Sequence, residues 1–109
     1  MEARIRYMRL MVFFDLPADT AAQRREYRVF RKFLLHDGYL MLQESVYAKL
    51  VTNDGTAGAA IMRLRKNRPA NGLVQVLKVT ESQFATIKYI TGNRNAYDEV
   101  DTMEELLII

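Results

Sequence analysis

Leu10-Met11-Val12-Phe13-Phe14 are five consecutive apolar positions, closed by Asp15 and then by Pro17. A run of this kind, with β-favouring Val and Phe and no polar alternation, predicts a strand covered on both faces, and such a strand belongs at the centre of a sheet. Pro17 has no N–H to give a ladder and pushes Leu16 toward an extended conformation, so the chain turns after Asp15. The run therefore carries one carboxylate to the end of a central strand.

A chain of 109 residues supports a single core, and 50% hydrophobic with 27% charged residues is the balance of an ordinary globular domain. With no Cys there are no disulfides and no thiolate zinc sites. Met1–Arg6 does not resemble a signal peptide, and no apolar run approaches the roughly 20 residues of a membrane helix. The expectation is a cytoplasmic protein with no membrane contact.

The net charge of +3 hides an asymmetry: Asp98, Glu99, Asp101, Glu104 and Glu105 fall in the last twelve residues, which hold no Lys or Arg. Residues 1–97 thus carry all 16 basic residues against 8 of the 13 acids, a net of +8. A body that basic points to a polyanionic partner, nucleic acid before others.

Thr20-Ala21-Ala22-Gln23 fits a capping box, and Tyr27, Phe30, Phe33 and Leu34 recur at helical spacing, which predicts a helix from Thr20 to about Asp37 with Gly38 as its left-handed cap. At about 100° per residue, Arg24, Arg25, Arg28, Arg31 and Lys32 share one arc of about 120°, broadly opposite the apolar stripe. Tyr39 to Val51 reads as a hairpin or as one long strand bulged near Glu44-Ser45, and the residues leave both open. Asn53 and its neighbours open a second helix along Ala57, Ala60, Ile61 and Leu64, with Arg63, Arg65, Lys66 and Arg68 in its last turn before Pro69. Leu73 to Val79 predicts a strand, Glu81 to Phe84 a helical turn, and Thr86 to Thr91 a further strand.

The order β-α-β(β)-α-β-β predicts an α+β, ferredoxin-like sandwich with two helices on one face of a mainly antiparallel sheet. Residues 1–94 form that domain, and the acidic and apolar segment 95–109 is expected to dock, on the partner subunit. With no further helix to cover the second sheet face, a sheet-to-sheet homodimer is the economical solution.

Several segments resemble a known family: the strand ending in Asp15, Tyr27-Arg28-Val29-Phe30-Arg31-Lys32-Phe33-Leu34-Leu35, Gln43-Glu44-Ser45-Val46-Tyr47, and Val79-Thr80-Glu81-Ser82-Gln83-Phe84 followed by Thr91-Gly92. Together they are similar to the small CRISPR-associated adaptation protein Cas two, in the form found beside the RNA-guided nuclease of type II systems. The resemblance implies a ferredoxin-like homodimer whose C-terminal strand pairs with the other subunit's sheet. It implies a bridge between two dimers of the CRISPR integrase, Cas one, that helps hold double-stranded DNA during spacer insertion. It also implies a magnesium-dependent endonuclease acting on DNA or single-stranded RNA, with Asp15 as the position matching the metal ligand and catalytic residue.

By position alone Asp15 reads as a turn-capping acid; the resemblance makes it a Mg²⁺ ligand. A two-metal site needs several acids, and Asp19 is the one other acid nearby in sequence, so two Asp15 side chains sharing one ion across a dimer axis is the arrangement one carboxylate per chain allows. The cations of both helices read either as a solvated face or as two surfaces for a duplex backbone: Arg24, Arg25, Arg28, Arg31 and Lys32, then Arg63, Arg65, Lys66 and Arg68. His36 reads as a partner of its helix's C-terminal dipole, and Ser45 and Tyr47 as packing beside the dimer surface.

Two functions from different classes follow: an architectural bridge for spacer integration, and a stand-alone metal-dependent endoribonuclease of toxin-like type. A small-molecule regulatory module on this fold is disfavoured by the +8 body and by the lack of a glycine-rich ligand loop.

Overall fold

A computed structural model describes residues 7–92 of the chain. Strand β1 (Met8–Asp15) is followed by helix α1 (Ala21–His36), strands β2 (Leu40–Gln43) and β3 (Val46–Val51), helix α2 (Asp54–Lys66), strand β4 (Leu73–Thr80) and the short helix α3 (Glu81–Phe84). The sheet has the order β2-β3-β1-β4, and every pairing is antiparallel. The architecture is the expected α+β ferredoxin-like one, and β1 lies between two neighbours as its apolar run requires.

Antiparallel strands turn successive side chains to opposite faces. Leu10, Val12 and Phe14 point to the helices and are buried, while Met11 and Phe13 lie on the other face and are half-buried. Phe30 and Leu34 of α1 and Ala57, Ala60 and Leu64 of α2 close the helix side, together with Tyr39, Tyr47 and Val51. Phe14 is the aromatic hub, with ring centroids 5.3 Å from Phe30, 5.8 Å from Tyr27 and 5.6 Å from Tyr47. Tyr47 therefore packs beneath the helices, not beside the face expected to form a dimer.

Both helices begin as their sequences require. The Thr20 hydroxyl accepts from Gln23 N–H while the Gln23 amide accepts from Thr20 N–H, and Asn53 and Thr56 repeat the exchange at α2. Gly38 ends α1 with φ +95°, in the left-handed region that glycine enters without a Cβ clash. Tyr39 to Val51 resolves as a hairpin with Glu44-Ser45 at its tip and a bulge between Met41 and Gln43. Arg68 falls beyond α2, which ends at Lys66 with Asn67 as its cap.

The predicted strand over Thr86–Thr91 does not form: these residues pair with no strand of the described chain, and Ile87, Tyr89 and Ile90 are exposed. A strand is stable only against an edge, and α3 intervenes after β4 with a capping box of its own between Thr80 and Gln83. Arg9 pins α3 to β1, reaching Glu81 at 2.9 Å and stacking 4.5 Å from the centre of the Phe84 ring. The segment 95–109 lies outside the described residues. No helix among them is long and apolar enough to cross a membrane.

A polar knot ties α1 to β3 and α2. Arg63 Nε donates to Asp37 Oδ1 at 2.8 Å, and Lys49 donates to the Asp37 main-chain carbonyl. Burial, aided by the Asp37 charge and opposed by Arg63, pushes the neighbouring Tyr39 hydroxyl up to about 12. An unfolded tyrosine ionises near pH 10, so this contribution to stability is complete below about pH 10 and is lost as pH rises toward 12. Tyr39→Phe should remove that loss, on the order of 2 kcal/mol, from urea-unfolding stability measured between about pH 9 and 12. A profile parallel to the parent's would show that Tyr39 is not the group responsible.

Candidate functional site

The alternation that buries Phe14 turns Asp15 outward, onto the same face as Met11 and Phe13. Its backbone is held from three directions. Phe14 N–H donates to the Ser45 carbonyl at 3.1 Å, Asp15 pairs with Leu73 across to β4, and the aromatic hub fixes the preceding side chain. The carboxylate itself makes no hydrogen bond or ion pair among the described residues. It does not cap the turn, and it is free to take a cation or a donor from outside the chain.

One turn that the linear sequence leaves remote now lies alongside. Glu44-Ser45, at the tip of the β2–β3 hairpin, sits against the Phe14–Asp15 end of β1, braced from α1 by the Tyr27 hydroxyl, which donates to the Glu44 carbonyl at 3.2 Å. Burial, followed by the nearby Glu44 charge, raises the Tyr27 pKa and keeps this donor protonated. The spatial neighbourhood could not be read from spacing, because it depends on the β1–β3 register, with Phe13 opposite Val46.

Among the described residues, no three His, Asp or Glu side chains gather into a group able to hold a metal ion. That donor set does not fit a two-metal centre. It does fit a hydrated Mg²⁺, which keeps several waters and is held by one or two carboxylates plus phosphate oxygens.

The face that carries Asp15 is the uncovered side of the sheet. Leu40, Ala48, Met11 and Leu77 form one row across all four strands, with Leu50 and Val79 on one side of it and Val46 and Phe13 on the other. Leu40, Leu50, Leu73 and Leu77 are exposed there. The sequence predicted cover on both faces of β1, and among the described residues only the helix face is closed by helices.

The structure separates the nine candidate cations. Arg25, Arg28, Arg31 and Lys32 of α1 and Arg65, Lys66 and Arg68 after it are exposed, with no ion pair among the described residues. Arg24 folds back onto the carbonyls of Ala18 and Asp19 at 3.2 and 3.1 Å, and Arg63 is engaged with Asp37. His36 ends α1, exposed, in the last turn. Arg25 and Arg68, far apart in sequence, line one groove of about 570 Å³ between α1 and the turn after α2.

Gly72 connects this geometry to stability. It has φ +97°, and a Cβ there would lie 2.6 Å from the Asp15 carbonyl oxygen. Gly72→Ala should lower stability by at least about 1–3 kcal/mol, the usual cost of a strained backbone conformation. Gly58→Ala, at a helical position with nothing within 4 Å, should raise it by about 0.5–1 kcal/mol. Chemical denaturation of both variants checks the contrast.

Comparison with known proteins bears on what this geometry is for. Residues 8–87 match the family model described as CRISPR associated protein Cas2. A protein named CRISPR-associated endoribonuclease Cas2 from Streptococcus mutans is 49% identical over 88 residues, 81% of each chain. Proteins of the same name from Treponema denticola and Acidovorax ebreus are 43% and 51% identical, covering 94% and 78% of this chain and 100% and 83% of their own.

Proposed function

The chain belongs to the family of CRISPR associated protein Cas2, and on that premise we propose that it is a sheet-to-sheet homodimer serving spacer acquisition. In this reading it binds duplex DNA along its backbone and bridges dimers of the CRISPR integrase Cas one. The observation that carries the proposal is the placement of Asp15 on a sheet face that leaves Leu40, Leu50, Leu73 and Leu77 exposed among the described residues.

Stacking two such faces would remove Leu40, Leu50, Leu73 and Leu77 from water, each full burial being worth about 1.5–3 kcal/mol. It also completes the cover that the apolar run of β1 calls for. The outer edge of β4 is unpaired within the described chain, and residues 86–92 are exposed beyond α3. Pairing of that segment on a partner's sheet gives Ile87 and Tyr89 a covered position and the edge a ladder.

With Asp15 of each subunit on the shared surface, the pair could hold one Mg²⁺. Held by the two Asp15 carboxylates, such an ion would supply Lewis-acid polarisation of a phosphoryl oxygen and activation of a coordinated water. The chain's own contributions are to fix the Asp15 backbone through Phe14 and Gly72, and to hold the phosphate backbone on Arg28, Arg31 and Lys32 without reading bases.

A second reading is favoured by the name its relatives carry, endoribonuclease: the dimer itself cleaves RNA in a metal-dependent step, and integration is secondary. Asp15→Ala distinguishes the two. The expected result is an intact dimer by light scattering, no Mg²⁺-dependent RNA cleavage, and retained spacer insertion with the integrase. Undiminished cleavage in a clean preparation would sink the metal assignment, and failed insertion by an assembled complex would sink the architectural one.

The phosphate surface has its own test. Replacing Arg28 and Arg31 by Ala should lower the slope of log affinity against log salt for duplex DNA by about 0.9 for each phosphate no longer neutralised. Arg63→Ala should leave that slope alone while lowering stability, since Arg63 is spent on Asp37. An unchanged slope in the double variant refutes the ridge as the binding surface.

A further inference from the structure

The two sides of the Asp15 end of β1 are held unequally. On one side the β4 ladder runs the full length of the strand, with Leu73 opposite Asp15. On the other, the β3 ladder stops with Phe13 opposite Val46, and the hairpin tip Glu44-Ser45 lies beyond it. The tip gains little from its own hairpin, because β2 is an outer strand whose pairing shifts register between Met41 and Gln43, just before the turn. Among the described residues two hydrogen bonds tie the tip to the rest of the chain: Phe14 N–H to the Ser45 carbonyl at 3.1 Å, and the Tyr27 hydroxyl to the Glu44 carbonyl at 3.2 Å.

Tyr27 thus holds Phe14 twice. Its ring meets the Phe14 ring edge-on, with centroids 5.8 Å apart, and its hydroxyl steadies the tip that supplies the acceptor for the Phe14 N–H. Tyr47 supplies a contrast on the same hub. Its ring lies 5.6 Å from that of Phe14, it is fully buried, and its hydroxyl has no hydrogen-bond partner among the described residues. Two tyrosines therefore pack on one phenylalanine, and only one of them is bonded to the tip.

We propose that Tyr27 is a positioning residue for the Asp15 cation site, restraining the end of β1 through the Glu44-Ser45 tip so that two carboxylates converge on one Mg²⁺. The inference rests on the reading in which Asp15 of each subunit shares that ion. Mg²⁺ demands a near-ideal octahedron with ligands at about 2.0–2.1 Å, and a site built from two chains repeats any misplacement in both. Without the hydroxyl, the tip frays locally while the aromatic hub and the β1–β4 ladder stay formed. The carboxylate then samples a wider range of positions in a chain that remains folded.

The test titrates Mg²⁺ alone into the ¹³C-labelled full chain and follows the Asp15 carboxylate resonance, assigned by its loss in Asp15→Ala. Tyr27→Phe should remain dimeric by light scattering and need about three- to tenfold more Mg²⁺ for half-saturation, less than the roughly 10–100-fold typical of losing a group bonded directly to a ligand. Its Phe14 amide should exchange faster with solvent. Tyr47→Phe makes the same chemical change without losing a hydrogen bond and should titrate like the parent. Arg63→Ala should lower stability to urea with the titration unchanged, which separates positioning from general loosening. Placing para-aminophenylalanine at position 27 restores an N–H donor and should return the affinity toward that of the parent. An unshifted titration in Tyr27→Phe, an equal shift in Tyr47→Phe, shifts that follow urea stability, loss of the dimer in Tyr27→Phe, or no rescue would each overturn the inference. If the parent's Asp15 resonance does not respond to Mg²⁺, the metal reading itself falls and this inference with it; if the parent responds and Tyr27→Phe matches it, only the inference falls.

Discussion

The strand alternation at the end of β1 is the constraint on which the rest of this structure depends. Phe14 must enter the aromatic hub of Tyr27, Phe30 and Tyr47, and because side chains alternate, its burial obliges Asp15 to face the other way. A slip of one residue would put a carboxylate among aromatic rings and Phe13 in their place, so the register is strongly specified. Gly72 and the Ser45 carbonyl then hold the strand end from both neighbouring strands. The position of one carboxylate is thereby set by core packing rather than by interactions of its own.

The same alternation leaves the molecule two-sided in composition. One face of the sheet is closed by α1 and α2, and the other presents Leu40, Met11 and Leu77 in a row with nothing from the described chain above them. A one-layer sheet with an open apolar face is half of a two-layer core. This is the physical basis for proposing a homodimer.

Charge is distributed with a comparable division of labour. Asp37 takes up Arg63 and Lys49 in a partly buried knot, and Arg24 turns back to the loop before its own helix, so those cations are structural. The candidate cations that remain unpaired lie on the outer side of α1, in the last turn of α2 and just past it, away from the sheet face that carries Asp15. Backbone recognition and metal-dependent chemistry would thus occur on different surfaces, which lets one be altered without the other.

The sequence by itself determined β1, both main helices, the strand at Leu73 and the short helix at Glu81, because each is written in local signals: an apolar run, a capping box at Thr20, turn and cap residues around Asn53, and a left-handed glycine at Gly38. The family too was legible, since the segments around Asp15, Tyr27 and Gln43 carry it. Over Thr86–Thr91 the β-favouring residues describe a strand without saying which edge would take it, and among the described residues it pairs with none. Which of Phe13 and Phe14 turns inward, that Tyr47 packs under the helices, that Glu44-Ser45 adjoins Asp15, that Arg24 and Arg63 are engaged, and that Arg25 meets Arg68 were decided only by the tertiary structure. Each of these depends on strand register or helix docking between residues distant in sequence, and pairing of that kind leaves no trace in the spacing of either partner alone.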